Sequence, residues 1–166
     1  RIGRFMSGSS VGACKHANGQ WWWLIARRVN SNQYIKWLVK ENGLIETIDT
    51  QATGPVLTGF DYFTQNVFSI RGDKFVTGNS HDYIVTFDFD RCTGQLNFRD
   101  SLPKPPLDTL FFSGNSGLQL SPNGRFLYAS RYLYLHQYDL EAQDVKSSTV
   151  LLADLDSTSW FSFIGK

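Results

Sequence analysis

Short apolar runs, some alternating with polar residues and some continuous, follow one another along the chain, each closed by a polar turn. This is the pattern of β-strands, and no segment carries the 3.6-residue apolar stripe of an amphipathic helix. A larger period lies over the strand pattern. Ala17-Asn18-Gly19-Gln20-Trp21-Trp22, Arg71-Gly72-Asp73-Lys74-Phe75-Val76 and Pro122-Asn123-Gly124-Arg125-Phe126-Leu127 are three copies of a polar turn leading into an aromatic or apolar strand, with their glycines 53 and 52 positions apart.

Each period holds four predicted strands. The first unit reads Val11 to Lys15, Trp21 to Ile25, Tyr34 to Val39 and Leu44 to Asp49, with turns at Asn18-Gly19, Asn30-Ser31-Asn32 and Glu41-Asn42-Gly43. Asn-Gly tolerates positive φ and marks a tight turn. The second unit reads Asn66 to Ile70, Lys74 to Thr77, Tyr83 to Phe89 and Leu96 to Arg99, and the third Gly117 to Leu120, Arg125 to Ser130, Leu133 to Asp139 and Ser148 to Leu152. Between the second and third units, Ser101-Leu102-Pro103-Lys104-Pro105-Pro106 reads as a connection, because proline is excluded from central strands.

The third strands indicate how the sheets pack. Tyr132, Tyr134, His136 and Tyr138 share one face and Leu133, Leu135 and Gln137 the other, while Tyr83, Val85, Phe87 and Phe89 oppose Ile84, Thr86 and Asp88. Neither unit has one consistently polar face, so each sheet is expected to be covered on both sides. Repeated four-stranded meanders stacked in this way predict an all-β fold, a β-propeller portion with blades at 11–50, 60–101 and 111–153 and the start of another at 158–166. Three blades and part of a fourth cannot close a ring, so residues 1–166 are expected to be a section of a longer, seven-bladed propeller. Each end of that section is expected to present an apolar face that a neighbouring blade covers.

Leu118-Gln119-Leu120-Ser121-Pro122-Asn123-Gly124-Arg125-Phe126-Leu127-Tyr128, followed by Leu133 to Leu140, resembles the repeat of WD40-like, YVTN-type propellers. Cys14-Lys15-His16-Ala17-Asn18-Gly19 with Trp22-Trp23, and Phe87-Asp88-Phe89-Asp90-Arg91-Cys92-Thr93-Gly94, resemble a narrower group of large secreted or surface proteins of Bacteroidota associated with type IX secretion. The resemblance covers about Gly12 to Asp154. It implies an extracellular or cell-surface setting and a binding or scaffolding role, with a protein or glycan as partner and the remaining blades coming from the same parent chain or a partner chain. It transfers no catalytic motif and no cofactor.

Charge narrows the partners further. Lys and Arg number 16 against 15 Asp and Glu, for a net charge of +1, and the basic residues are scattered rather than clustered, which argues against nucleic acid. No apolar run is long enough for a membrane helix. Cys14 and Cys92 form no CxxC pair, and the repeat register puts one in an inner strand and the other in an outer turn, as two separate thiols far apart.

No residue set is read as catalytic, cofactor-binding or metal-ligating. His16, His81 and His136 fall at different offsets from their repeat glycines, so they are not expected to converge on a metal. Asp88 and Asp90 with Thr93 and Gly94 lack the further oxygen ligands of a calcium loop and are read as a turn stabilised by side-chain bonds. Arg71-Gly72-Asp73 occupies a repeat turn, where a glycine is already required. His16, Trp21, Trp22, His81 and His136 are the residues expected to line the channel or touch a partner, His16 foremost. The expected function is a non-enzymatic binding or scaffold module; the alternative is a hydrolase or lactonase with its site in a central channel.

Overall fold

The computed structural model describes residues 11–58, 65–79, 83–103, 115–131 and 134–154, and every regular element among them is a strand. Three four-stranded sheets follow one another in chain order. Sheet 1 contains β1 (Gly12–Lys15), β2 (Trp22–Arg27), β3 (Ser31–Val39) and β4 (Ile45–Leu57). Sheet 2 contains β5 (Val67–Phe68), β6 (Lys74–Gly78), β7 (Tyr83–Asp90) and β8 (Gln95–Pro103). Sheet 3 contains β9 (Asn115–Leu120), β10 (Phe126–Arg131), β11 (Tyr134–Asp139) and β12 (Val150–Asp154). Each sheet is an antiparallel meander whose strand order is its sequence order.

The repeat glycines set this geometry. Gly19, Gly72 and Gly124 have φ of 74°, 72° and 73°, and each closes the turn by donating its N–H to the carbonyl three residues earlier, on His16, Ser69 and Ser121. A Cβ disfavours that left-handed conformation by roughly 1–2 kcal/mol. The same glycine in the same conformation restarts the second strand of each sheet at the same point.

Sheet 2 lies between the other two. Period-two alternation sends Phe75, Val85, Phe87 and Phe89 into a core shared with Cys14, Trp23, Ile25, Tyr34, Leu38 and Leu57 of sheet 1. The alternate positions, Val76, Ile84 and Leu102, enter a second core with Leu118, Leu120, Leu127, Ala129 and Tyr138 of sheet 3. The first core is aromatic: Tyr34 meets Phe87 edge-on at 5.1 Å and Phe75 at 6.1 Å, and Trp23 meets Phe89 at 6.2 Å. The second is almost entirely aliphatic. First strands are neighbours, β1 against β5 and β5 against β9, and the outer strands β4 and β8 of sheets 1 and 2 also meet.

Several boundaries differ from the sequence expectation. The last strand of the first unit continues past Asp49 to Leu57. Its second half is held from outside: Asn32 Nδ2 donates to Gly54 O at 3.0 Å, and Arg27 Nη1 donates to Arg28 O, Ser31 O and Leu57 O at 3.1, 3.2 and 3.4 Å. Asn79 Nδ2 takes Thr58 O at 2.8 Å, which ties the exit of sheet 1 to sheet 2. Pro55 is tolerated because β4 is an outer strand. For the same reason β8 runs through Ser101 and Leu102 to Pro103, where a connection was expected. The turn before β3 lies at Val29-Asn30, with Asn30 at φ 51°, and Ser31 already belongs to the strand. Residues 158–166, read as the start of another blade, lie outside the described residues.

Polar groups also stand at the first interface. Within sheet 1, buried Lys36 of β3 places Nζ 2.9 Å from Asp49 Oδ1 and 3.2 Å from Gln51 Oε1 of β4. Gln51 in turn donates Nε2 to Leu96 O at 2.6 Å and accepts Leu96 N at 3.0 Å, pairing a side-chain amide with the backbone of β8. Gly94, at φ 73°, lies close against the Trp23 indole, since a Cβ there would stand 2.6 Å from Trp23 Cη2. Gly94→Ala is therefore expected to lower stability by about 2 kcal/mol or more, through backbone strain and displacement of the indole. A urea titration followed by tryptophan fluorescence measures this, and an unchanged midpoint would contradict the packing described.

Candidate interaction surface

The β1–β2, β5–β6 and β9–β10 turns, together with the β7–β8 turn, form one end of the stacked sheets. Each repeat turn is closed by side-chain caps. Asn18 Oδ1 accepts Gln20 N and Trp21 N at 3.0 and 3.1 Å. Ser69 Oγ accepts Asp73 N and Lys74 N, both at 3.1 Å, and donates to Asp73 Oδ1 at 2.6 Å. Ser121 Oγ accepts Phe126 N at 2.9 Å, and Asn123 Oδ1 accepts Arg125 N at 3.1 Å.

His16 stands three residues before its repeat glycine, where the other two turns carry Ser69 and Ser121, and it too caps its turn, through Asn18 N, while Asn18 Oδ1 takes the N–H of Trp21 that the serines take at Lys74 and Phe126. Its Nδ1 accepts Asn18 N at 3.0 Å. That fixes the proton on Nε2, which donates to Cys92 O at 3.1 Å across the interface. The ring packs on Trp21 at 5.4 Å and Trp23 at 5.8 Å. His16 is thus a half-buried cap that joins two sheets. The equivalence with the serines is legible in the sequence, but only when offsets are compared across all residue types rather than among the histidines.

Further bonds dock each turn on the next sheet. Ala17 N and Trp23 Nε1 both donate to Arg91 O, at 3.1 and 2.9 Å. Lys74 Nζ donates to Gly124 O at 2.9 Å, Arg71 Nη2 to Asn123 O at 3.5 Å, and Arg99 Nη2 to Leu140 O at 3.1 Å. These contacts correct the expectation that the two cysteines are far apart, because the Cys92 carbonyl binds a residue two positions from Cys14. Both thiols are nonetheless free, Cys14 buried and Cys92 exposed.

The other sequence candidates are dispersed. Trp21 is half-buried beside His16 with Lys40 Nζ 5.6 Å from its ring, whereas Trp22 is 43% exposed on the outer face of sheet 1 with Lys15 Nζ at 5.7 Å. His136 is buried on the face of sheet 3 turned toward sheet 2, in the other interface from His16. His81 lies outside the described residues. Trp23, the third of the consecutive tryptophans, is the one that fills an interface.

The acidic strand ends serve their own turns. Asp90 accepts Cys92 N at 2.8 Å and Thr93 Oγ1 at 2.7 Å, and Asp139 takes Arg125 through contacts of 2.6–3.1 Å while accepting Glu141 N at 3.0 Å. Asp144 repeats the pattern with Ser147 Oγ at 2.6 Å and Lys146 N at 3.0 Å. Hydrogen bonds from Thr93, Arg125 and Ser147, respectively, hold these three carboxyls below the ordinary range. Among the described residues, no group of three or more His, Cys, Asp or Glu side chains is placed to hold a metal. In Arg71-Gly72-Asp73, Arg71 Nε lies 3.1 Å from Asp73 Oδ2, so the two charges close on each other rather than splaying toward separate partners.

Three sheets of four antiparallel strands stack in chain order with their first strands side by side, and each covers the next. The fold is a β-propeller. No family model matches the chain, and no curated protein matches it. Solved structures do. A protein from Lactobacillus plantarum aligns with TM-score 0.63 and 18% identity over 89% of this chain and 41% of that one. A putative 6-phosphogluconolactonase from Bacteroides uniformis aligns with TM-score 0.59 and 14% identity, over 86% and 39%. The periplasmic gluconolactonase of Pseudomonas aeruginosa aligns with TM-score 0.56 and 21% identity, over 87% and 39%. The likeness is one of fold, and the chain spans about two-fifths of the length of these structures.

Two measurements check this surface. Carboxyls held low in the folded protein stabilise it above the unfolded carboxylate value of about 4, and that contribution is lost as pH falls through their folded values. The urea midpoint is therefore expected to drop below about pH 4, and Asp139→Asn is expected to make the drop shallower; equal slopes would contradict the role of the Arg125 pair. Burial pushes the Cys14 thiol up to about 12. Iodoacetamide is expected to label Cys92 in the folded chain and Cys14 only after unfolding, read by mass spectrometry.

Proposed function

We propose that this propeller is a non-enzymatic binding and scaffold module of a secreted or cell-surface bacterial protein, presenting its turns to a protein or glycan. The observation that carries this reading is the turn-bearing end. Its backbone is fixed by caps within each turn and by bonds between sheets, while Asn18, Gln20, Arg71, Asn123 and Arg125 remain exposed on it. A surface already held in one conformation loses little entropy on binding. The mixed polar composition suits hydrogen-bonded recognition with a modest electrostatic component.

The secreted setting rests on the resemblance of Cys14 to Gly19 and of Phe87 to Gly94 to Bacteroidota surface proteins associated with type IX secretion. The competing reading is a lactonase or other hydrolase at a central channel, suggested by the names of two fold neighbours. Binding is favoured because His16, the residue first expected at a channel, is occupied on both ring nitrogens by the caps that hold the turns.

A glycan array and a panel of bacterial surface proteins, probed with the labelled chain, test the proposal. Saturable binding is expected, and it is expected to weaken at least about tenfold when Gln20 and Arg71 are both changed to Ala, with circular dichroism unchanged. Saturable turnover of gluconolactone by a chain that binds none of the probes would overturn the reading.

A further inference from the structure

Among the described residues, every lysine and arginine side chain but one has a partner inside the protein. Most meet carboxylates or carbonyls, as Arg125 meets Asp139 and Lys74 meets Gly124 O, and Lys15 lies over the Trp22 ring. The exception is Arg91, half-buried in the β7–β8 turn. No carboxylate, carbonyl or ring among the described residues takes its guanidinium.

The Arg91 side chain is nonetheless held. Its stem lies on Gly72, where a Cβ would stand 2.7 Å from Arg91 Cδ and 3.6 Å from Cγ. Its carbonyl accepts Ala17 N and Trp23 Nε1, which fixes its backbone against the β1–β2 turn of sheet 1. A guanidinium partly withdrawn from water without a counter-ion gains from an added oxyanion what its paired neighbours gain from their own. Its planar fork matches a carboxylate through two parallel N–H···O bonds.

The adjoining turn favours one carrier for that carboxylate. Every backbone N–H from His16 to Trp21 is already bonded within the protein, and Cys92 N and Gly94 N are taken by Asp90. An extended peptide, ordinarily held by main-chain bonds, finds no donor there. What the turn does offer is side-chain amide: Asn18 Nδ2 and the whole Gln20 amide are exposed and make no bond among the described residues. Amides both donate to and accept from hydroxyls. Hydroxyls beside a carboxylate are the chemistry of a uronic acid.

We propose that Arg91 is the anion-recognition residue of the turn-bearing end and that its ligand is an acidic glycan. Arg91 takes a uronate carboxylate while Asn18 and Gln20 bind the neighbouring hydroxyls. This rests on the binding reading above and names the chemistry of its partner.

Isothermal titration calorimetry of the chain with oligogalacturonate tests it. Saturable binding is expected, weakening as salt rises and lost when the carboxylates are methyl-esterified. Arg91→Gln is expected to weaken binding at least about tenfold, with circular dichroism unchanged, because the carbonyl that joins the sheets belongs to the backbone. Arg91→Lys keeps the charge without the fork and is expected to retain only part of the affinity. No binding of oligogalacturonate, equal binding of its methyl ester, equal affinity in Arg91→Gln, or tighter binding of a polyglutamate peptide overturns the proposal. Where the chain then still binds a neutral glycan or a protein, the module reading stands without it; binding to no probe of any kind removes both.

Discussion

A β-sheet that is apolar on both faces has no stable existence alone, and sheet 2 is such a sheet. Phe75 and Val76, adjacent in sequence, belong to different hydrophobic cores, and neither core exists without a second sheet. Each buried Phe, Val, Leu or Ile contributes roughly 1.5–3 kcal/mol only if its partner sheet is in place. Folding of the middle blade is therefore coupled to that of both neighbours. Because stability in such arrays is close to a sum of units and their interfaces, the interfaces hold the larger share.

The two interfaces are built differently. Between sheets 1 and 2, edge-to-face rings are accompanied by polar clamps: Gln51 on Leu96, and His16 and Trp23 on the turn at Arg91 and Cys92. Between sheets 2 and 3, aliphatic packing is joined by long cations, Lys74 and Arg99, that reach backbone carbonyls. Directional bonds fix the relative rotation of two sheets, which apolar contact alone leaves loose. In both interfaces many of these clamps stand at the turn-bearing end, which is why that end is rigid.

Much of the architecture is legible in sequence because it depends on local rules. The spacing of Gly19, Gly72 and Gly124 encodes the blade period, and the alternation through Tyr83 to Phe89 encodes a sheet covered on both sides. What is not legible depends on tertiary contact. Gly54-Pro55 reads as a break after Asp49, yet β4 continues through it, because Arg27 at the end of β2 and Asn32 at the start of β3 hold its backbone. Histidines draw attention as chemistry, so the capping role of His16 is hidden until it is set beside Ser69 and Ser121. The meeting of Cys92 with the His16 turn is also hidden, since no periodicity reports which outer turn of one blade touches which inner turn of another.

Gln51 has a consequence for what the molecule does not do. The outer strand of a blade ordinarily offers a row of free N–H and C=O groups to any extended peptide, including another copy of itself in a crowded or partly unfolded state. At Leu96 both groups are already engaged by the Gln51 amide, a side chain standing where an invading strand would lie. The rim of the middle blade is thus guarded against runaway strand addition at the cost of a single residue, while β12, with Val150, Leu151 and Leu152 exposed, carries no such guard among the described residues.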